Sequence, residues 1–134
     1  MADEKRIKDL LAAMKKERGY LLDSWVYAAE KDVDFMEAYN NFYNRGLAAG
    51  KALPVKTREC IAIGVLAFRG SVNGVYEHIR RALRHGATMQ EILEAIETAA
   101  IPGGAPTLAT GLQALMKVEE EEEEIKLKET QRLP

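Results

Sequence analysis

The sequence predicts an all-α protein, and three observations support this prediction. Apolar residues recur at three- and four-residue intervals, capping residues and glycines separate the periodic segments, and no segment has to be a strand. The chain has 134 residues, 47% of them hydrophobic and 30% charged, which is typical of a globular protein. We therefore expect about six to seven helices, with a single all-helical domain over residues 1–118.

Two helices are predicted near the start of the chain. The first has apolar residues on one side between charged neighbours, and it should end near Gly19. The second is predicted over residues 20–30, where apolar residues again recur at helical spacing. The apolar side of the first helix comprises Ile7, Leu10, Leu11 and Met14.

A third helix is predicted to begin at Asp34. Its side chain can cap the helix while Glu37 reaches back, which is a common arrangement at helix starts. One side of this helix displays Phe35, Ala38, Tyr39 and Phe42.

The most apolar segment of the chain runs from Val55 to Arg69. Gly50 and Pro54 mark the boundary before it, and Gly70 ends it. A buried strand is the alternative interpretation, but the length and alanine content of the segment favour a helix. We expect this helix to lie at the centre of the fold.

The next predicted helix, residues 71–85, carries two stripes. The first stripe is apolar and should face the core. The second has small residues around His78, which would leave open space beside its imidazole. The core stripe comprises Val72, Val75, Tyr76, Ile79 and Leu83. The second stripe comprises Ser71, Gly74, His78, Ala82 and His85.

Two further helices are predicted after Gly86. Thr88 and Glu91 have the spacing of a capping box at the start of the first. Residues 101–106, Ile-Pro-Gly-Gly-Ala-Pro, predict a break before the last helix. Six consecutive glutamates follow Val118, so residues 119–134 are predicted to form an acidic helical extension or a frayed tail.

Composition narrows the classes of function. A net charge of -2 gives little attraction for nucleic acid. The longest apolar run, residues 60–68, is too short to cross a membrane, and the charged start resembles no signal peptide, so we expect a cytoplasmic protein. Cys60 is the only cysteine and cannot form an intrachain disulfide; its apolar surroundings predict a small buried core residue.

Several landmarks in a fixed order resemble the carboxymuconolactone decarboxylase family, which includes the alkylhydroperoxidase D proteins. They are Leu-Pro-Val-Lys-Thr-Arg-Glu at residues 53–59, Tyr-Glu-His at 76–78, Ala-Leu-Arg-His-Gly-Ala-Thr at 82–88 and Gly-Gly-x-Pro at 103–106. The resemblance covers residues 46–116. It implies an orthogonal helical bundle and assembly into a homo-oligomer, a trimer or a hexamer.

The peroxidase branch of this family has a glutamate, a Cys-x-x-Cys pair and a histidine. The matching positions in this chain are Glu59, Ser71, Gly74 and His78, so both sulfurs are missing. Serine cannot replace the thiol, because its hydroxyl does not ionise as readily as a thiol and cannot form a disulfide. Dithiol peroxidase activity is therefore not expected.

The decarboxylase branch lacks that cysteine pair and acts without a cofactor. The resemblance thus implies a cofactor-free lyase without a metal, whose substrate is a small carboxylated lactone or a related intermediate of aromatic catabolism. Two alternatives stay open: a peroxidase-related protein that has lost its redox cysteines, and a non-catalytic helical oligomer that binds a small molecule.

The resemblance and the chemistry of the side chains predict the site. His78 is the candidate for proton transfer, because imidazole titrates near neutral pH, and Glu59 could orient it. Arginines 58, 69, 80, 81 and 84 are candidates for binding a substrate carboxylate, and nothing in the sequence chooses among them. The predicted substrate-binding residues are Ser71, Gly74, Arg58, Gly103 and Gly104.

Overall fold

The computed structural model of the protein describes residues 2–133. Within them the chain forms seven α-helices and one short π-helical segment, with no strand, so the predicted all-α class is confirmed. We expected one domain over residues 1–118. In the structure the chain divides into two compact units, Met1–Ala52 and Leu53–Pro134.

The first unit contains three helices and the π-helical segment. The helices are α1 (Ala2–Arg18), α2 (Asp23–Lys31) and α3 (Val33–Tyr43), and the π-helical segment is Asn44–Ala48. Gly19 follows α1 with a positive φ of 84°, a conformation that glycine adopts without strain. The small core of this unit consists of Leu10, Met14, Ala29 and Met36.

The start of α3 differs from the prediction. Asp32, rather than Asp34, caps the helix by accepting a hydrogen bond from the amide of Phe35 at 3.0 Å. Glu37 does not reach back, because its carboxylate pairs with Arg6 at 2.7 Å. The aromatic side of α3 is largely open to solvent, with Phe42 78% exposed.

The second unit contains four helices. They are α4 (Val55–Phe68), α5 (Val72–Arg84), α6 (Met89–Gly103) and α7 (Ala105–Gln131). The predicted capping box of Thr88 and Glu91 is present at the start of α6. The core of this unit is formed by Ile63, Ala67, Val75, Ile79, Ala82, Ala87, Ile92, Ile96, Ala114, Leu115 and Val118.

Helix α4 lies at the centre of the second unit. It contacts α5, α6 and α7, and Ile63 and Ala67 are buried among them. The expectation of a helix in this position is therefore met, but its burial is incomplete. One apolar side of α4 is exposed, at Ile61 (54%), Val65 (55%) and Phe68 (67%).

The junction between α6 and α7 is shorter than predicted. Residues 101–106 were expected to form a non-helical connection. In the structure α6 continues through Pro102 to Gly103, and α7 begins at Ala105. Gly104 alone separates the helices, with a positive φ of 87° that glycine favours. Helix α7 then continues to Gln131, through most of the acidic segment.

Two glutamates of that segment pack against α5. Arg80 donates hydrogen bonds to Glu121 at 2.5 Å and to Glu122 at 2.8 Å, and the Tyr76 hydroxyl donates to Glu121 at 2.6 Å. The hydrogen bond with Glu121 raises the pKa of Tyr76 and lowers that of Glu121. These contacts fix the start of the acidic segment on the second unit.

None of the helices in residues 2–133 combines the length and the apolar composition that crossing a bilayer requires.

Candidate active site

Helices α4 and α5 bring together the two predicted catalytic residues. Glu59 lies in the second turn of α4 and His78 lies midway along α5. Nδ1 of His78 is 2.6 Å from Oε2 of Glu59, a short hydrogen-bond distance. The Glu59 side chain has no exposed surface, whereas 17% of the His78 side chain is exposed.

Arg81 completes a cluster of three side chains. It follows His78 by three residues on α5, so the two side chains share one side of the helix. Nη1 of Arg81 donates a hydrogen bond to Oε1 of Glu59, and only 2% of the Arg81 side chain is exposed. A single buried carboxylate therefore bridges an imidazole and a guanidinium.

Arg81 was not predicted to pair with Glu59. It was one of five arginines that could have bound an anion, and its buried position depends on which side of α5 meets α4. The only signal in the sequence was its three-residue spacing from His78, which also fits a surface pair.

The geometry determines which ring nitrogen of His78 carries the proton when the imidazole is neutral. An ionised carboxylate accepts hydrogen bonds but cannot donate them. Because Nδ1 faces Oε2 of Glu59, an ionised Glu59 requires Nδ1 to be the donor. In that tautomer Nε2 carries the lone pair.

Ser71 and Gly74 lie at the start of α5. The Ser71 hydroxyl accepts a hydrogen bond from the amide of Gly74 at 3.2 Å, which caps the helix. A Cβ atom at Gly74 would be 2.6 Å from this hydroxyl and 3.4 Å from the side chain of Leu66. Ser71 and Leu66 therefore leave little room for a side chain at Gly74. Ala82, from the same predicted stripe, is buried in the core.

The other three predicted binding residues lie at helix ends. Arg58 is in the first turn of α4, where its Nε donates a hydrogen bond to the carbonyl of Leu53 at 3.2 Å. Gly103 and Gly104 form the junction between α6 and α7. A Cβ atom at Gly103 would be 2.4 Å from the Thr107 hydroxyl, so the turn requires a glycine there.

A groove of about 600 Å³ lies between α4 and α6. Its lining is mostly apolar and does not include Glu59 or His78. The sequence predicted that Cys60 is a buried core residue. In the structure it is partly exposed and lines this groove. Partial burial raises the pKa of the Cys60 thiol, which favours the unreactive neutral form. The lining includes Ile61, Gly64, Val65, Phe68, Ala95 and Ala99.

The described residues contain no group of three or more His, Cys, Asp or Glu side chains placed to hold a metal ion. The cluster of Glu59, His78 and Arg81 has only one metal-ligating imidazole and one carboxylate, and the carboxylate is already paired with a guanidinium. An imidazole held in one orientation by a carboxylate is an arrangement suited to proton transfer.

The fold and the cluster define an all-helical protein with a histidine oriented by a buried carboxylate. Residues 34–126 match the carboxymuconolactone decarboxylase family, and the chain belongs to this family. It is similar to the crystal structure of a candidate carboxymuconolactone decarboxylase from Burkholderia xenovorans LB400. The two chains are 27% identical with a TM-score of 0.79, and the match covers 94% of this chain and 98% of the other. A comparison with curated proteins found no match.

Proposed function

We propose that the protein is a cofactor-free decarboxylase of a small carboxylated lactone, with His78 as the residue that transfers the proton. The observation that carries this proposal is the hydrogen bond between Nδ1 of His78 and Oε2 of Glu59 at 2.6 Å. It holds a partly exposed imidazole in one orientation, which general acid–base catalysis requires. Membership of the decarboxylase family supports the reaction class.

The proposed reaction is balanced without an oxidant or reductant. The bond between the ring carbon and the carboxylate carbon breaks, carbon dioxide leaves, and the electron pair moves into the conjugated lactone. Nε2 of the protonated His78 delivers a proton to the ring system, giving the enol-lactone, and then takes another proton from solvent. The carboxylate of Glu59 stabilises the positive ring before it delivers its proton and again after it has taken up the next one, because opposite charges attract strongly at a buried site.

Substrate binding requires a positive group near His78. We propose Arg58 for this role, since guanidinium pairs with carboxylate in two-point geometry and Arg58 is only partly buried, one residue before Glu59. Ser71 and Gly74 at the start of α5, together with Gly103 and Gly104, are proposed to complete the binding site. Burial and pairing with Glu59 make Arg81 unsuitable for direct contact with a substrate.

The test is incubation of the purified protein with carboxymuconolactone while the appearance of enol-lactone is followed by absorbance. We expect turnover by the wild type and its loss in His78→Ala. His85→Ala is the matched control, because His85 is an exposed residue at the end of α5. Equal rates in wild type and His78→Ala would contradict the proposed role of the imidazole.

A non-catalytic binding protein is the second candidate, and one observation favours it. The apolar groove of about 600 Å³ between α4 and α6 is lined by neither Glu59 nor His78, so a small molecule could bind there away from the pair. This candidate predicts that the lactone binds without turnover, which calorimetry combined with the absorbance assay would detect.

We also propose that the protein forms a homo-oligomer. Ile61, Val65 and Phe68 are more than half exposed and Ile101 is 87% exposed, which is unusual for large apolar side chains grouped on one unit. A second copy of the chain would remove these side chains from water. The apolar groove that Ile61, Val65 and Phe68 line is poorly suited to a substrate with carboxylate groups, which requires fixed positive charge.

A further inference from the structure

Arg81 is placed where it can act on Glu59 but not on a substrate. Its side chain is 2% exposed, and its Nη1 donates to Oε1 of Glu59. The other oxygen of the same carboxylate, Oε2, faces Nδ1 of His78. With so little of its side chain exposed, Arg81 is closed to a ligand that approaches from solvent.

We infer that Arg81 is a positioning residue that fixes the tautomer of His78 through Glu59. A guanidinium stays protonated at all ordinary pH values, so it is a constant positive charge beside the buried carboxyl group. That charge favours the ionised carboxylate, which can only accept hydrogen bonds. Nδ1 of His78 must therefore hold the ring proton, and Nε2 has the lone pair.

The inference rests on the proposed function, in which Nε2 takes up a proton and delivers it to the substrate. Without the guanidinium, a buried carboxyl group is less costly in its neutral form, because burial penalises charge. A neutral Glu59 can donate its proton to Nδ1, and the ring proton of the neutral imidazole then lies on Nε2. The nitrogen that faces a ligand would become a weak donor, unable to take up a proton from solvent.

The experiment reads the tautomer directly and does not depend on catalysis. The protein has only two histidines, so His85→Gln in protein with ¹⁵N-labelled histidine leaves the ring of His78 as the only imidazole signal. Long-range proton–nitrogen NMR spectra distinguish protonated from bare ring nitrogens, and they are recorded at a pH where the ring carries one proton. In the His85→Gln protein, we compare three forms: the one that retains Arg81, Arg81→Met and Arg81→Lys.

We expect the proton on Nδ1 in the wild type and in Arg81→Lys, and a population with the proton on Nε2 in Arg81→Met. Arg80→Met is the matched control, because Arg80 is adjacent in sequence but pairs with Glu121 and Glu122, and it should leave the tautomer unchanged. A purely structural Arg81 would lower the melting temperature without moving the proton. A folded Arg81→Met that keeps the Nδ1 proton would overturn the inference. If Arg81→Met does not fold, Arg81→Gln, which also removes the charge, takes its place with the same expected outcome.

Two results separate this inference from the proposed function. If the tautomer depends on Arg81 but the wild type does not convert carboxymuconolactone, the positioning role stands and the proposed substrate is wrong. If the wild type is active and the tautomer is indifferent to Arg81, the proposed function stands and the inference fails.

Discussion

Glu59 and His78 are joined across helices α4 and α5 by a hydrogen bond of 2.6 Å between Oε2 and Nδ1. Their environments differ, because Glu59 has no exposed surface and His78 retains 17% of its side-chain exposure. The carboxylate is therefore a fixed part of the interior, and the imidazole is the part of the pair that can meet a substrate. This division predicts different consequences for the two residues when each is replaced.

Replacing His78 should affect activity much more than stability. We expect His78→Ala to lower kcat with carboxymuconolactone by roughly 10²–10⁴-fold, the usual contribution of a general acid or base. The partly exposed imidazole leaves no large cavity when it is removed, so the cooperative unfolding transition should be retained. Steady-state assays and thermal unfolding of His78→Ala and the control His85→Ala provide the measurement. A loss of cooperative unfolding in His78→Ala would show a mainly structural role.

Replacing Glu59 or Arg81 alone should destabilise the protein strongly. Removing one partner leaves the other buried without compensation, which typically costs about 3–5 kcal/mol. The double variant Glu59→Leu/Arg81→Met removes both charges and keeps apolar bulk, so it should be more stable than either single variant. Urea unfolding of the three variants and the wild type measures this coupling. Additive losses of stability in the double variant would contradict the pairing.

The contact between Tyr76 and Glu121 predicts a specific dependence of stability on pH. The hydrogen bond from Tyr76 lowers the pKa of Glu121 below its ordinary value of 4.5. A carboxyl group whose folded pKa is depressed stabilises the protein above its unfolded pKa, and this contribution is lost as the pH falls through the folded pKa. Glu121→Gln should therefore reduce the difference in melting temperature between about pH 6 and about pH 3.

The matched control for this prediction is Glu124→Gln, three residues further along α7 and exposed. Glu124→Gln should leave the pH dependence of the melting temperature close to that of the wild type, since the exposed Glu124 carboxylate makes no hydrogen bond or ion pair within the described residues. The prediction fails if both glutamine variants change the difference in melting temperature between the two pH values to the same extent.

How far the sequence predicts this structure depends on whether a feature is local. The capping box at Thr88 and Glu91 and the apolar periodicity of the helices are properties of adjacent residues, and both are present as predicted. The cap of α3 was wrong by two residues, because Asp32 and Asp34 are equally suitable capping groups in sequence. The two residues differ only in where the backbone turns into the helix, and in the structure it does so directly after Asp32.

Features that depend on contacts between helices were harder to predict. The family resemblance pointed to Glu59 and His78, and the structure brings the two together. It could not identify Arg81, because a charged residue on an amphipathic helix normally faces solvent. Which side of α4 is exposed could not be predicted either, since a continuous apolar run does not reveal which part of it the neighbouring helices cover.

The exposed apolar side of α4 predicts that a single charged substitution there disrupts the proposed homo-oligomer. We expect the wild type to sediment as an oligomer and Phe68→Asp to shift toward the monomer, because burying an unpaired carboxylate in an interface is unfavourable. Leu127→Asp is the control, as Leu127 is 63% exposed on the charged part of α7. Analytical ultracentrifugation gives the masses, and circular dichroism checks the helices. A monomeric wild type would contradict the proposed oligomer.

The start of α5 should accept the cysteine pair that the chain lacks. A Cβ atom at Gly74 would be 2.6 Å from the Ser71 hydroxyl, so side chains at the two positions converge closely. In Ser71→Cys/Gly74→Cys, made in a Cys60→Ser background, the two sulfurs should therefore form an intramolecular disulfide under mild oxidation. Counting free thiols before and after oxidation measures the bond. Each single cysteine variant serves as a control and should form no intramolecular bond.

A disulfide in that double variant would mean that the fold can still hold the redox pair of the peroxidase branch, and that only the sulfurs are missing. Its two thiols would lie about one and two helical turns before His78, at the start of the same helix. Hydroperoxide consumption with a dithiol reductant should then appear in the double variant and be absent from the wild type, whose only thiol, Cys60, faces the apolar groove. Peroxidase activity in the wild type that survives Cys60→Ser would show instead that thiol chemistry is not its basis.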